Sequence, residues 1–284
     1  MKRIYSAIAA MALVAAVWVT PAFGQNQKLY NTVKTKLAAG EQVFGGTVLT
    51  SDPEIYCAMA NSGWDFTWIE MQHSPLTYQE VARMIAHCPD AAAIPFIRVP
   101  DATPGDIQKA TDIGALGIII PMVQNVQEVL DAVQFAKYPP MGQRSQGNGQ
   151  YGRIWGRGYR QTANDNVMIV GMVENPKGVD IADQIAAVDG VDVVFVASSD
   201  LGSFSGKRQG DPEYEALVTR TRDAVLAAGK IVGGPQAWRD REGYHFFQGA
   251  PDTAIIRQGT RAALGLDGAQ QNRSGVAPIE GQEK

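Results

Sequence analysis

Eight short apolar runs of strand length alternate with segments of helical pattern along this chain, and no other feature limits its fold so strongly. The runs lie near 43–49 (VFGGTVL), 66–72 (FTWIEMQ), 93–99 (AIPFIRV), 117–121 (GIIIP), 167–174 (VMIVGMVE), 191–197 (VDVVFVA), 230–233 (KIVG) and 253–257 (TAIIR). Helical patterns lie near 52–61, 77–88, 104–113, 125–136, 178–187, 213–228 and 239–248, and a further helix begins near 260. Thr77 with Glu80 reads as a capping box. Pro104 and Pro212 sit where a first helical turn accepts proline. Repeated β-then-α order predicts the α/β class, as a single-domain (β/α)8 TIM barrel. An open doubly wound sheet is the runner-up, weakened because no GxGxxG follows the first run.

The ends differ from this body. Lys2 and Arg3 precede an apolar run from Ile4 to Val19, and TPAFG follows. That run is short of the roughly 20 residues of a bilayer span. A charged start, an apolar stretch and a small-residue exit predict a cleavable signal peptide. The expected organisation is a signal peptide over 1–24, a lead-in over 25–39, the barrel over 40–270 and a flexible tail over 271–284. Export, to a periplasm, follows if the signal is used, and a cytoplasmic location if it is not. The net charge of −4 offers no basic field for nucleic acid or an anionic membrane. The two cysteines, Cys57 and Cys88, form no CxxC. Export permits a disulfide, but both fall on core-facing helical positions, so buried thiols are expected and zinc is not. Residues 139–164 break the rhythm with six glycines, four arginines and no carboxylate. A long connection of this kind reads as an anion-facing lid or a subunit contact, against a plain surface loop.

Barrel enzymes work at the carboxyl ends of their strands. The polar residues expected there are Glu70, Gln72 and His73 after the second run, Arg98 at the end of the third, and Gln124 and Asn125 after the fourth. Glu174 ends the fifth run, and Ser198, Ser199 and Asp200 follow the sixth. Glu174 and Asp200 come from adjacent strands, so the two carboxylates would repel. A divalent cation relieves that conflict, and hard oxygen ligands favour Mg²⁺ or Mn²⁺, with Co²⁺ also compatible. Helix capping is the alternative role for each acid. Arg98 can clamp a carboxylate or enolate oxygen through its planar fork, or pair with Glu70 or Glu174. His73 can move protons near neutral pH, with Glu70 to orient it. Gln124, Ser198 and Ser199 complete the expected substrate contacts with Arg98. Gly233-Gly234 and Gln258-Gly259, after the seventh and eighth runs, offer backbone N–H groups to an anion. His87 and His245 fall on helical segments and read as structural or surface residues.

In the order WDFTWIEMQHSPLTY, PFIRVP, GIIIPMVQNVQE, YPPMGQRSQG, MVENPKGV and GVDVVFVASSDLG, the chain resembles the HpcH/HpaI family of metal-dependent pyruvate aldolases over roughly residues 40–265. That family includes 4-hydroxy-2-oxoheptanedioate and 2-dehydro-3-deoxyglucarate aldolases, with macrophomate synthase as a relative. The resemblance implies a (β/α)8 barrel, usually hexameric, with the last helix exchanged between subunits. It implies Mg²⁺, Mn²⁺ or Co²⁺ at Glu174 and Asp200, enolate stabilisation by Arg98, and proton transfer with water at His73. The implied reaction is reversible cleavage of a 4-hydroxy-2-oxo acid to pyruvate and an aldehyde through a metal-bound enolate. Oxaloacetate decarboxylation through the same enolate is one alternative, and non-catalytic binding of small oxo acids by an exported barrel is another. The chain departs from the family in having Glu70-Met71-Gln72-His73 for Asp-x-Glu-His, Ser198-Ser199-Asp200-Leu201 for Gly/Pro-Ala-Asp-Leu, and Arg144-Ser145-Gln146-Gly147 for Arg-Gly-x-Gly. A small oxo acid and a second copy of the chain are the expected partners, with no nucleic acid and no membrane after signal removal.

Overall fold

The computed structural model describes residues 29–266, so the expected signal peptide and the whole of the expected tail lie outside the described residues. Helix α1 (Thr32–Ala38) leads into β1 (Val43–Val48), α2 (Pro53–Ala60), β2 (Phe66–Glu70), α3 (Tyr78–His87), β3 (Ile94–Arg98), α4 (Pro104–Asp112), β4 (Gly117–Ile120) and α5 (Val126–Ala136). Two short helices, α6 (Tyr151–Ile154) and α7 (Tyr159–Asn166), precede β5 (Met168–Val173), α8 (Pro176–Asp180), α9 (Ala182–Ala186) and β6 (Val193–Val196). Then come α10 (Ser198–Ser205), α11 (Pro212–Ala227), β7 (Ile231–Pro235), β8 (Tyr244–Pro251) and α12 (Asp252–Ala263). The eight strands run parallel in sequence order and close into a barrel, β8 pairing with β1. Helices cover the outside and side chains fill the inside, so β2, β3, β4, β5 and β6 are buried along their whole length. That double burial is why these segments read as apolar runs instead of alternating ones. Thr77 and Glu80 form the expected capping box at the start of α3, and Asn125 with Glu128 forms a second one at α5.

The floor of the barrel is aromatic. Phe246 stacks on Phe66 with ring centroids 4.4 Å apart, Phe66 meets Phe96 at 4.8 Å, and Phe195 meets Phe246 edge-on at 6.5 Å. Four rings fit only because neighbouring strands present glycine inward. A Cβ at Gly117 would lie 1.8 Å from Phe96, and one at Gly45 would lie 2.1 Å from Phe66.

Three expectations are corrected. The eighth strand is Tyr244–Pro251, not 253–257, so the helix expected over 239–248 is absent and His245 lies on a strand. The Asp252 carboxylate accepts hydrogen bonds from the Leu49 and Thr50 N–H groups at 3.0 and 3.1 Å. This anchors the chain as it leaves β8, and the Ile255-Ile256 pair that resembled a strand becomes part of amphipathic α12. Gly259 therefore lies in a helix, and Gly233 and Gly234 lie within β7, so neither pair forms an anion-binding turn at the mouth.

Residues 139–164 are not a lid. They follow α5 and precede β5, so topology carries them to the amino end of the barrel, away from the mouth. There Gln150 donates to the carbonyls of Ala82 and Ile113, and Trp155 donates to that of Gly114. Arg144 is fully enclosed, pairs with Asp112 at 2.8 Å, and lies over the rings of Tyr138, Tyr151 and Tyr159. Arg144 and the tyrosines around it are thus used internally, while Arg153 and Arg157 are exposed at this end of the barrel.

The cysteines are bonded to each other. Cys57 on α2 and Cys88 at the end of α3 have Cα atoms 5.5 Å apart, within bridging distance, because the two helices are packed side by side. The loop so closed spans 31 residues of separation. Chain-entropy arguments assign such a closure about 2–4 kcal/mol. Reduction, or Cys57→Ser with Cys88→Ser, is expected to lower the unfolding free energy by that amount in denaturant titrations. An unchanged midpoint would show that the bond contributes nothing. Among the described residues no helix is long and apolar enough to cross a membrane.

Candidate active site

Alternation along each strand sets what faces the barrel axis. On β2 the inward series is Phe66, Trp68 and Glu70, and on β3 it is Phe96 and Arg98. On β5 it runs through Met172 to Glu174, the residue just beyond the strand. Above the phenylalanine floor, then, a layer of charge replaces the layer of rings.

Glu70 and Arg98 are buried and paired, Arg98 donating through both Nε and Nη2 to Oε2 of Glu70. The other oxygen of Glu70 accepts from the Gln72 and His73 N–H groups at 2.8 and 3.0 Å. Trp68 Nε1 donates to Oε2 at 3.2 Å. Glu70 therefore fixes Arg98 and the backbone of the His73 turn. The sequence suggested that it would orient the imidazole itself, and no hydrogen bond between the two side chains is present. Arg98 Nη1 also lies 3.9 Å from the Met172 sulfur, and both residues line the cavity described below.

Glu174 is 1% exposed. Its Oε1 accepts from the Met122 N–H at 3.0 Å, and Met122 takes φ 55°, an uncommon conformation for a residue with a side chain. Its Oε2 is buried without a hydrogen-bond partner. Burial pushes its pKa up to about 7, the Met122 hydrogen bond opposes that rise, and the nearby Asp200 carboxylate adds to it. Two acids from neighbouring strands thus meet with one oxygen unpaired, an arrangement a divalent cation would satisfy. No cluster of three or more His, Cys, Asp or Glu occurs among the described residues, so the acid set is a pair.

A cavity of about 200 Å³ opens at this mouth, lined by His73, Arg98, Ser198, Ser199, Asp200 and Gln248 among others. Asp200 sits in the first turn of α10, whose N-cap, Ala197, has no side chain to satisfy the helix N–H groups. Tyr214 donates to the Ser198 carbonyl at 2.9 Å and holds this turn in place. Gln124 is an exception among the expected contacts. It is exposed, its N–H donates to Glu128 at 2.7 Å, and it does not line the cavity. Its position before the α5 capping box explains this, since the box draws it outward. His87 pairs with Glu54 on the surface at 2.7 Å. Sequence reasoning missed Met122, whose contribution is a backbone N–H, and Gln248, whose strand was placed at 253–257 instead of Tyr244–Pro251. The inward period-2 spacing from Phe246 was the available signal for Gln248.

The sequence pattern of the HpcH/HpaI aldolase/citrate lyase family matches residues 48–238. A hydroxypyruvate/pyruvate aldolase of Rhizorhabdus wittichii is 33% identical over 217 residues, covering 73% of this chain and 86% of that protein. A 2-keto-3-deoxy-L-rhamnonate aldolase of Klebsiella pneumoniae is 30% identical, covering 73% and 80%. Among solved structures, an HpcH/HpaI aldolase/citrate lyase family protein of Burkholderia cenocepacia superimposes with a TM-score of 0.75 at 28% identity, over 83% of this chain and 98% of that one. The matched span contains Glu70, His73, Arg98, Glu174 and Asp200, and a barrel of the same form carries them. On these grounds the chain belongs to the HpcH/HpaI aldolase/citrate lyase family, and it is a carbon–carbon lyase, not a passive binder.

Proposed function

We propose that this enzyme is a divalent-metal-dependent aldolase that reversibly cleaves a 4-hydroxy-2-oxo acid to pyruvate and an aldehyde. The observation that carries the proposal is the buried, unpartnered Glu174 oxygen facing Asp200 beside Arg98. Glu174 and Asp200 would hold the cation, which supplies Lewis-acid stabilisation of a developing oxyanion worth several kcal/mol. The open first turn of α10, at Ser198 and Ser199, presents N–H groups to the carboxylate of the oxo acid. Arg98, held by Glu70, donates to the 2-oxo oxygen as negative charge grows there. In cleavage the C3–C4 bond breaks, the 4-hydroxyl proton leaves as the aldehyde forms, and C3 gains a proton to complete pyruvate. His73, exposed at the mouth, relays these protons with water.

Two further parts of the reading have separate support. The Cys57–Cys88 bond supports export, since disulfides persist in oxidising compartments. A homo-oligomer is supported by α12, which leaves Ile256 and, just past its end, Leu264 exposed.

Exchange of pyruvate's methyl protons in D₂O tests metal, enolate and proton transfer together. Exchange is expected with Mg²⁺, Mn²⁺ or Co²⁺ and not with chelator. Because Glu174 must lose its proton to bind a cation, metal-dependent exchange at subsaturating metal should rise as much as about tenfold per pH unit below about pH 7 and level above it. Absence of exchange with every metal would end the proposal.

A further inference from the structure

Gln248 is a polar residue of the mouth that the reaction above does not use. It lies two residues beyond Phe246 on β8, so it faces the barrel axis one layer above the phenylalanine floor. Its strand neighbours at that level are Gly45 on β1 and Pro235 on β7. Neither offers it a side-chain hydrogen bond. Its Nε2 reaches the Thr47 hydroxyl at 3.4 Å, near the outer limit for such a bond. The Thr47 hydroxyl is already committed, donating to the Gly249 carbonyl at 2.9 Å. The amide is thus tethered on one side, while its carbonyl and second N–H remain available on the cavity side. An apolar side chain would fill the layer above Phe246 more cheaply, since a partly buried amide needs partners.

We propose that Gln248 is a specificity-determining residue that selects a short, neutral aldehyde bearing a hydroxyl group next to its carbonyl. This rests on the aldolase reading above. That reading assigns Glu174, Asp200, Arg98 and the first turn of α10 to pyruvate, so the acceptor must meet the β7–β8 wall of the same cavity. On that wall Gln248 and Pro235 line the cavity, and neither is charged. A carboxylate on the acceptor would find no cation there. A hydroxyl both donates and accepts, and an amide answers it on both counts. The cavity, at about 200 Å³, is smaller than the roughly 300–1,000 Å³ of typical ligand pockets, so the acceptor is short.

Glycolaldehyde and propanal have the same number of heavy atoms and differ by one hydroxyl, so they form the test pair. Condensation with pyruvate is measured for both, and for succinic semialdehyde, in the wild type and in Gln248→Leu, as the metal-loaded full chain. The wild type is expected to prefer glycolaldehyde to propanal and to accept succinic semialdehyde poorly. In Gln248→Leu the glycolaldehyde-to-propanal ratio of kcat/KM should fall about tenfold, the value of one well-placed neutral hydrogen bond. Gln248→Glu should lower the use of succinic semialdehyde further. Pyruvate proton exchange, which needs no aldehyde, reports in each variant that the site is assembled. If exchange persists and the ratio does not move, Gln248 has no role in acceptor choice. If the wild type itself shows no exchange, the aldolase reading fails and this inference falls with it. If Gln248→Leu loses exchange, Gln248→Asn is used. A ratio that Gln248→Asn leaves at the wild-type value would overturn the proposal, and a partial fall would support it.

Discussion

Glu174→Gln is expected to lower metal-dependent aldol cleavage by about a thousandfold or more, while making the metal-free protein more stable above pH 7. Both effects have one cause. The Glu174 carboxylate is buried, receives one backbone N–H, and leaves its second oxygen without a partner. Its pKa rises from near 4.5 to about 7, mainly through desolvation. A raised acid pKa means that the folded state holds its proton more tightly than the unfolded chain does. Stability is therefore lost as pH rises through the interval from about 4.5 to about 7, and the loss is complete above it. Glutamine keeps the shape and the Met122 contact but removes the charge, so it should recover on the order of 1–3 kcal/mol at pH 8. The activity loss corresponds to forfeiting several kcal/mol of metal stabilisation at about 1.4 kcal/mol per factor of ten. Thermal unfolding at pH 5 and pH 8, with cleavage rates beside it, measures both. A purely structural acid would lose stability when neutralised. Equal or lower stability at pH 8 would place Glu174 in that class.

The second large effect concerns Glu70. Its carboxylate holds a nearly enclosed guanidinium, the Trp68 indole and two backbone N–H groups. Glu70→Ala leaves Arg98 buried and unpaired, at a cost of about 3–5 kcal/mol. Glu70→Leu combined with Arg98→Met replaces the pair by apolar side chains and should restore most of that loss, because desolvating the two charges largely offsets their attraction. Activity should stay lost in both variants, since the proposed reaction uses Arg98, held in place by Glu70, as the donor at the developing oxyanion. Urea titrations with an unchanged slope would report the stabilities. A double variant no more stable than Glu70→Ala would show that the rest of the network, and not the ion pair, carries the stability.

The barrel was legible in the sequence because strands buried on both faces leave unmistakable apolar runs, as in FTWIE and MIVGMV. It was misread where that logic weakens. Ile231–Pro235 and Tyr244–Pro251 carry glycine, proline and polar residues, while the amphipathic start of α12 offers a rival isoleucine pair. The acid pair and Arg98 were legible because each ends or follows a strong strand. The lid reading of 139–164 was wrong, although connectivity was enough to exclude it: a segment between a helix and the next strand sits at the end remote from the mouth. The disulfide depends on how α2 and α3 pack, and local pattern does not carry that information.

The ring of phenylalanines under the cavity makes the barrel a vessel with a single doorway. Reactants and products share that passage, so whichever fragment lies deeper must wait for the shallower one to clear. In the proposed reaction the oxo acid sits against the acids and Arg98 and the aldehyde nearer the rim, so traffic would run last in, first out.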